Sequence, residues 1–191
     1  MSSASRNCFS LDFSIRFVRR FEESFHMEHY TRSALAVLAL LLLQTTFVPF
    51  LSIGGFLPDP LLLWVVYVAI RRGHMEATIT GFLVGLLQDA VSMQFFGLSA
   101  LTKTIAGFVA GYFFNDNSTE QTLGSYRFLT ILFLSSFVHN IVYYGIFLQG
   151  IQDSVFSTMI EFSVVTSLYT VVVGVFPMFT FVRKYRLSQS L

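Results

Sequence analysis

Four ionisable side chains interrupt otherwise apolar runs of this sequence: Asp89 at the end of GFLVGLLQD, Lys103 at the start of KTIAGFVAG, His139 beside Asn140, and Glu161. In a lipid core such a group costs on the order of a few kcal/mol unless it is paired, neutralised or turned toward water. Each therefore marks either an ion pair that locks helices together or part of a polar pocket or proton path. Both readings stay open for Asp89 with Lys103, and the four residues together make a candidate intramembrane polar cluster. Ser135, Ser136 and His139 share helical spacing, the residue types of a nucleophile and its base. Without an orienting acid and oxyanion donors at recognisable positions they read as ordinary helix packing, and no catalytic residue is assigned. Cys8 is the single cysteine, so no internal disulfide forms. No cysteine or histidine spacing suggests zinc or an iron-sulfur cluster, and no cofactor is expected.

The elements that must carry these residues belong to a membrane protein, because 54% of the residues are hydrophobic and only 12% charged. The net charge of +1 points to no nucleic acid. Long apolar runs fall at 33–51, 75–92, 97–114, 127–148 and 154–182. A sixth, PDPLLLWVVYVAIRRG from Pro58 to Gly73, is short. From Pro60 to Ile70 a helix reaches about 17 Å, against about 30 Å of hydrocarbon. If 58–70 crosses with the N-terminus inside, eleven of the 12 basic residues face the cytoplasm, Lys103 being the exception. If it does not, every later segment inverts and Arg71, Arg72, Arg127, Arg183, Lys184 and Arg186 lie outside. The reading adopted is an all-α bundle of six transmembrane helices with both termini cytoplasmic. Its short second span is shielded by protein, because irregular backbone is tolerated at that depth only there. A re-entrant segment that dips and returns is the alternative.

Two glycine trios suggest how the third and fourth spans pack. Gly81, Gly85 and Asp89 share one helical face, as do Lys103, Gly107 and Gly111. In a hairpin turning near Phe96, Asp89 would meet Lys103, Gly85 would meet Gly107 and Gly81 would meet Gly111, letting the backbones approach closely. In the 52–59 loop, Pro58 and Asp59 are a candidate partner contact or simply the turn a span requires. The polar stretch 115–127 reads as a cytoplasmic connector. Pro177 is expected to kink the last span.

The domain organisation that follows is a cytoplasmic N-terminal extension at 1–32, a transmembrane domain at 33–182 and a basic cytoplasmic tail at 183–191. Phe17, Val18, Phe21 and Phe25 among arginines fit a surface-lying amphipathic helix, while a translation start at Met27 is the alternative for the first 26 residues. The tail's Arg183, Lys184 and Arg186 suit anionic lipid.

Pro58-Asp59 opening a short span closed by Arg71-Arg72-Gly73, then GLLQD, then Gly97-Leu98-Ser99-Ala100-Leu101 before a glycine-punctuated helix, resemble the MreD family of rod shape-determining membrane proteins. The resemblance is firm over about 33–115, and rests on the order and spacing of several motifs. Lys103 and the N-terminal extension depart from the family pattern. The resemblance implies a non-enzymatic inner-membrane component of the cell-elongation machinery. Its partner would be MreC, and through MreC it would be linked to the MreB filament and the peptidoglycan synthases. MreD-like proteins are also similar in architecture to the substrate-capturing subunits of energy-coupling transporters, which implies the competing function of a vitamin or small-molecule carrier. A carrier needs a cavity of about 300 Å³ or more with converging polar groups, whereas a scaffold needs a small-residue stripe or groove for another helix. Short outer loops and the lack of an internal repeat favour the scaffold.

Overall fold

The computed structural model describes residues 27–52, 56–93, 95–115, 119–147 and 155–189. The amphipathic pattern expected before Met27 lies outside these. The helices are α1 (Met27–Thr46), α2 (Pro60–Arg72), α3 (His74–Ser92), α4 (Leu98–Gly111), α5 (Thr119–Leu123), α6 (Tyr126–Phe147) and α7 (Val155–Gln189), with a 3-10 turn at Val48–Leu51 after α1. Among the described residues there is no strand. The chain groups into two compact units, Met1–Ala39 and Leu40–Leu191. The packing and the site below lie within the second.

The boundaries of α2 follow from its sequence. Pro60 opens the helix, where a missing N–H costs nothing, and Asp59 caps it, its Oδ1 accepting from the Leu62 N–H at 2.9 Å. Gly73 closes it with φ +84°, a backbone conformation that L side chains rarely adopt. Arg71 and Arg72 occupy the last turn, beside the helix's negative end. At 13 residues α2 is about 20 Å long, and it is sheltered along nearly its whole length. Leu61, Leu62, Val65, Val66 and Ala69 are fully buried. Toward its C-terminal end Val66, Ala69 and Ile70 join Ala77, Ala110, Phe128 and Leu132 in an apolar core.

Around α2 the longer helices pack as neighbours, α3 against α4 and α6 against α7, with α4 also touching α6. The α3–α4 approach is the closest. A Cβ on Gly81 would stand 2.5 Å from the Lys103 carbonyl oxygen, and one on Gly107 2.7 Å from that of Ala77. Gly85 lies against Ala100 and Ser99, and Gly111 against His74. Each glycine thus meets ordinary backbone, and the expected pairing of glycine with glycine is replaced by another register. The reason is the connection: α3 runs to Ser92, ends on Met93 in the left-handed conformation (φ 51°), and α4 begins only after Gly97 (φ 94°). Those connecting residues shift the helices relative to a hairpin turning symmetrically about Phe96.

A polar seam joins α6 to α7, where the Asn140 amide donates to Ser136 Oγ at 3.3 Å and across to Ser167 Oγ at 3.1 Å. The 115–127 connector is more than a passive loop, since it contains α5, and Thr122 and Leu123 are buried. At that end Arg71 reaches Glu120 at 3.3 Å and Arg72 reaches Glu76 at 3.1 Å. Both pairs are solvent-exposed to a degree that makes them worth about 1 kcal/mol or less each.

Candidate functional site

Of the polar residues singled out above, Lys103 and His139 meet at the end of the unit where α2 begins, and Asp59 is their node. Its backbone N–H donates to Thr170 Oγ1 of α7 at 3.3 Å, while Thr170 bonds back to the Thr166 carbonyl at 2.9 Å. One carboxylate oxygen is held by the α2 cap. The other takes the ion pair from Lys103 Nζ of α4 and lies 3.6 Å from His139 Nε2 of α6. Four helices are therefore tied through one residue, three by its carboxylate and α7 by its backbone N–H. The Lys103 side chain is completely buried and that of Asp59 is 13% exposed. An ion pair removed from water in this way offsets its desolvation only with good geometry and further hydrogen bonds, which the cap supplies.

This corrects the expected Asp89–Lys103 pair. Asp89 lies one turn from the C-terminal end of α3, and the α3–α4 connection brings it beside the first residues of α4. There it accepts three backbone N–H groups: Gly97 at 2.9 Å, Ser99 at 3.2 Å and Ala100 at 3.2 Å. A carboxylate placed there satisfies donors that a helix start leaves unpaired and complements its positive end. Asp89→Ala is expected to cost about 1–3 kcal/mol by stranding those donors. Hydrogen exchange at the Gly97, Ser99 and Ala100 amides would accelerate, and unchanged exchange there would contradict the capping role.

Glu161 departs from the expected cluster as well. It is exposed on α7 and is not on the cavity wall described below. The pattern that placed it there was depth alone, and depth does not say which face of a helix a residue takes. Pro58 is buried and the Asp59 carboxylate is committed within the chain, so neither is presented to a partner in this conformation. Asp59 as counter-ion is the feature sequence reasoning missed. The available signal was a buried lysine in need of an acid, with Asp59 standing between two prolines ahead of a helix too apolar to be exposed.

Beside the node lies a cavity of about 380 Å³ lined by residues of α1, α2, α3, α4, α6 and α7 and of the segments before α2 and α4, with Asp59, Asp89, His139, Asn140, Tyr143 and Thr166 among them. His139, Tyr143 and Phe147 stack along one face of α6, with ring centroids 6.1 Å and 5.9 Å apart. Behind Tyr144, Phe162 of α7 packs on its ring at 5.6 Å and on that of Phe56 at 5.0 Å. Among the described residues no three His, Cys, Asp or Glu side chains gather in a way that could hold a metal ion.

Among the described residues, three segments are long and apolar enough to cross a membrane: Ser33–Phe50, Tyr126–Phe147 and Met159–Phe179. Leu98–Gly111 is a shorter apolar helix. Together with the composition they make this a membrane protein. Residues 15–186 match the family described as rod shape-determining protein MreD. No curated protein and no solved structure matches the chain.

Proposed function

Because this chain belongs to the family of rod shape-determining protein MreD, we propose that it is a non-enzymatic integral component of the cell-elongation complex. In this reading it sits in the bacterial inner membrane, binds MreC, and supports peptidoglycan synthesis and cell shape. The family match, over nearly the whole chain, carries the proposal. α2 serves as the short second of six crossings, its backbone sheltered by the other helices where it is too short to meet both surfaces alone. Both termini are then cytoplasmic, with the basic tail at 183–191 on the same side as Arg71 and Arg72. The Asp59–Lys103 pair and the close-packed glycines hold a rigid body against which a single MreC helix can pack. Lipid-embedded helices associate through close contact and a few hydrogen bonds worth about 1 kcal/mol each.

A second reading is favoured by one observation. The cavity of about 380 Å³ exceeds the lower bound of about 300 Å³ usual for small-molecule sites, as a substrate-capturing subunit of an energy-coupling transporter would require. Affinity capture from native membranes in mild detergent separates the two. Recovery of MreC with cell-wall synthases is the expected result. Recovery of an ATPase module with its membrane coupling subunit, without MreC, would overturn the scaffold.

A further inference from the structure

The cavity beside Asp59 has a mixed lining of polar and apolar groups, and its charges are already answered from within. Of the two carboxylates on its wall, Asp59 is paired with Lys103, and Asp89 is saturated by three backbone N–H groups. Lys103 is fully buried and committed to Asp59. An anionic ligand would therefore meet two acids and no free cation among the described wall residues. A cationic one would have to compete with an ion pair and a helix start. What the wall offers instead are neutral hydrogen-bonding groups: the amides of Gln44, Gln88 and Asn140, the phenols of Tyr143 and Tyr144, and the Thr166 hydroxyl.

Two of these amides are incompletely satisfied. The side-chain oxygens of Gln44 and Gln88 are buried with no hydrogen-bond partner, a condition that is costly when left unmet. An occupant that brings donors to this wall would draw these side chains into bonds that they do not make within the chain. A hydroxyl both donates and accepts, so it satisfies an amide in either orientation. The volume of about 380 Å³ lies at the small end of ligand sites, enough for one ring and not for a long chain of them. Phenol rings on the wall offer apolar faces for the C–H surface of such a ring.

We propose that this cavity binds an uncharged, polyhydroxylated group the size of a single sugar, supplied either as a free sugar or as the headgroup of a neutral glycolipid. The site goes beyond the scaffold role and does not rest on it. Binding is measured on the isolated full-length chain, so failure to capture MreC and failure to bind sugar are separate results.

The test uses the protein in phosphatidylcholine nanodiscs with three probes: glucose, monoglucosyldiacylglycerol added to the bilayer, and inorganic phosphate. Native mass spectrometry reads a saturable one-to-one adduct, because sugars stabilise folded proteins without a site and a melting shift alone would mislead. An adduct with glucose assigns the free sugar, and an adduct with the glycolipid alone assigns the headgroup. In Gln44→Leu/Gln88→Leu the affinity is expected to fall about tenfold or more, the loss of at least one buried hydrogen bond. Folding should be undisturbed, since two unpartnered amides are removed, and Gln88→Leu alone serves if the double variant is not recovered. No adduct with either sugar probe, equal affinity in the variants, or an adduct with phosphate in place of sugar would overturn the proposal.

Discussion

Gly85→Leu is expected to take the α3–α4 hairpin apart. A Cβ at residue 85 would lie 2.5 Å from Ala100 N and Ser99 O, and nearer still to Ala100 Cα. All three are backbone atoms of a helix and cannot swing aside. Overpacking against side chains costs about 1–3 kcal/mol, and against rigid backbone the cost exceeds that range. Thermal unfolding in nanodiscs should show a lower midpoint or no folded protein. Gly174→Leu is a useful contrast, because its Cβ meets the end of the Leu132 side chain, which can change rotamer, so a milder loss is expected. Gly97→Ala provides another. Nothing lies within 4 Å of its Cβ, yet φ is +94°, and the cost should be about 1 kcal/mol from backbone conformation alone. Wild-type melting in Gly85→Leu would contradict the close approach.

Lys103→Ala is expected to be nearly as damaging, by a different route. It leaves the Asp59 carboxylate in a largely dry site with its cap to Leu62 and a histidine 3.6 Å away. Removing one member of a buried pair typically costs about 3–5 kcal/mol, because the other charge is stranded. Neutralising both, as in Asp59→Asn with Lys103→Met, should restore most of that loss, since replacing a whole buried pair is often close to neutral. A double-mutant cycle read by unfolding in nanodiscs measures the coupling. Additive losses would mean that the two residues do not act as a pair. Because the Asp59 side chain also caps α2, and an asparagine oxygen can keep that cap, Asp59→Ala should be worse than Asp59→Asn.

The contrast between these residues and their first reading shows where sequence patterns stop. Pro60 and Gly73 mark α2 so strongly, through a fixed φ at one end and a left-handed φ at the other, that its limits could be read directly. Its burial was likewise legible, because a helix too short for the bilayer and uniformly apolar must be covered by protein. The small residues of α3 and α4 announced close packing for the same kind of local reason. Register was not local. It depends on how many residues the connection between Ser92 and Leu98 absorbs and in what conformation, and periodicity carries no record of that.

The partner of Lys103 was hidden for a related reason. Asp59 stands 44 residues away in sequence, on an irregular segment whose direction is set only when α2 docks against α4 and α7. The turn that a span requires already accounted for the residue by itself. Glu161 shows the opposite error: an acid at the right depth, on a helix whose apolar residues run round all sides, gives no hint of which face turns inward.

Everything proposed for the membrane placement depends on α2 passing from one side to the other. The direct measurement replaces Cys8 with serine and introduces single cysteines before and after the helix, as Ser52→Cys and Met75→Cys, both at exposed positions. Labelling of intact cells with a membrane-impermeant maleimide should modify position 52 from outside, and position 75 only after the membrane is opened. Modification of both positions from the same side would show that α2 returns to the surface it left, and the six-crossing arrangement with two cytoplasmic termini would be wrong.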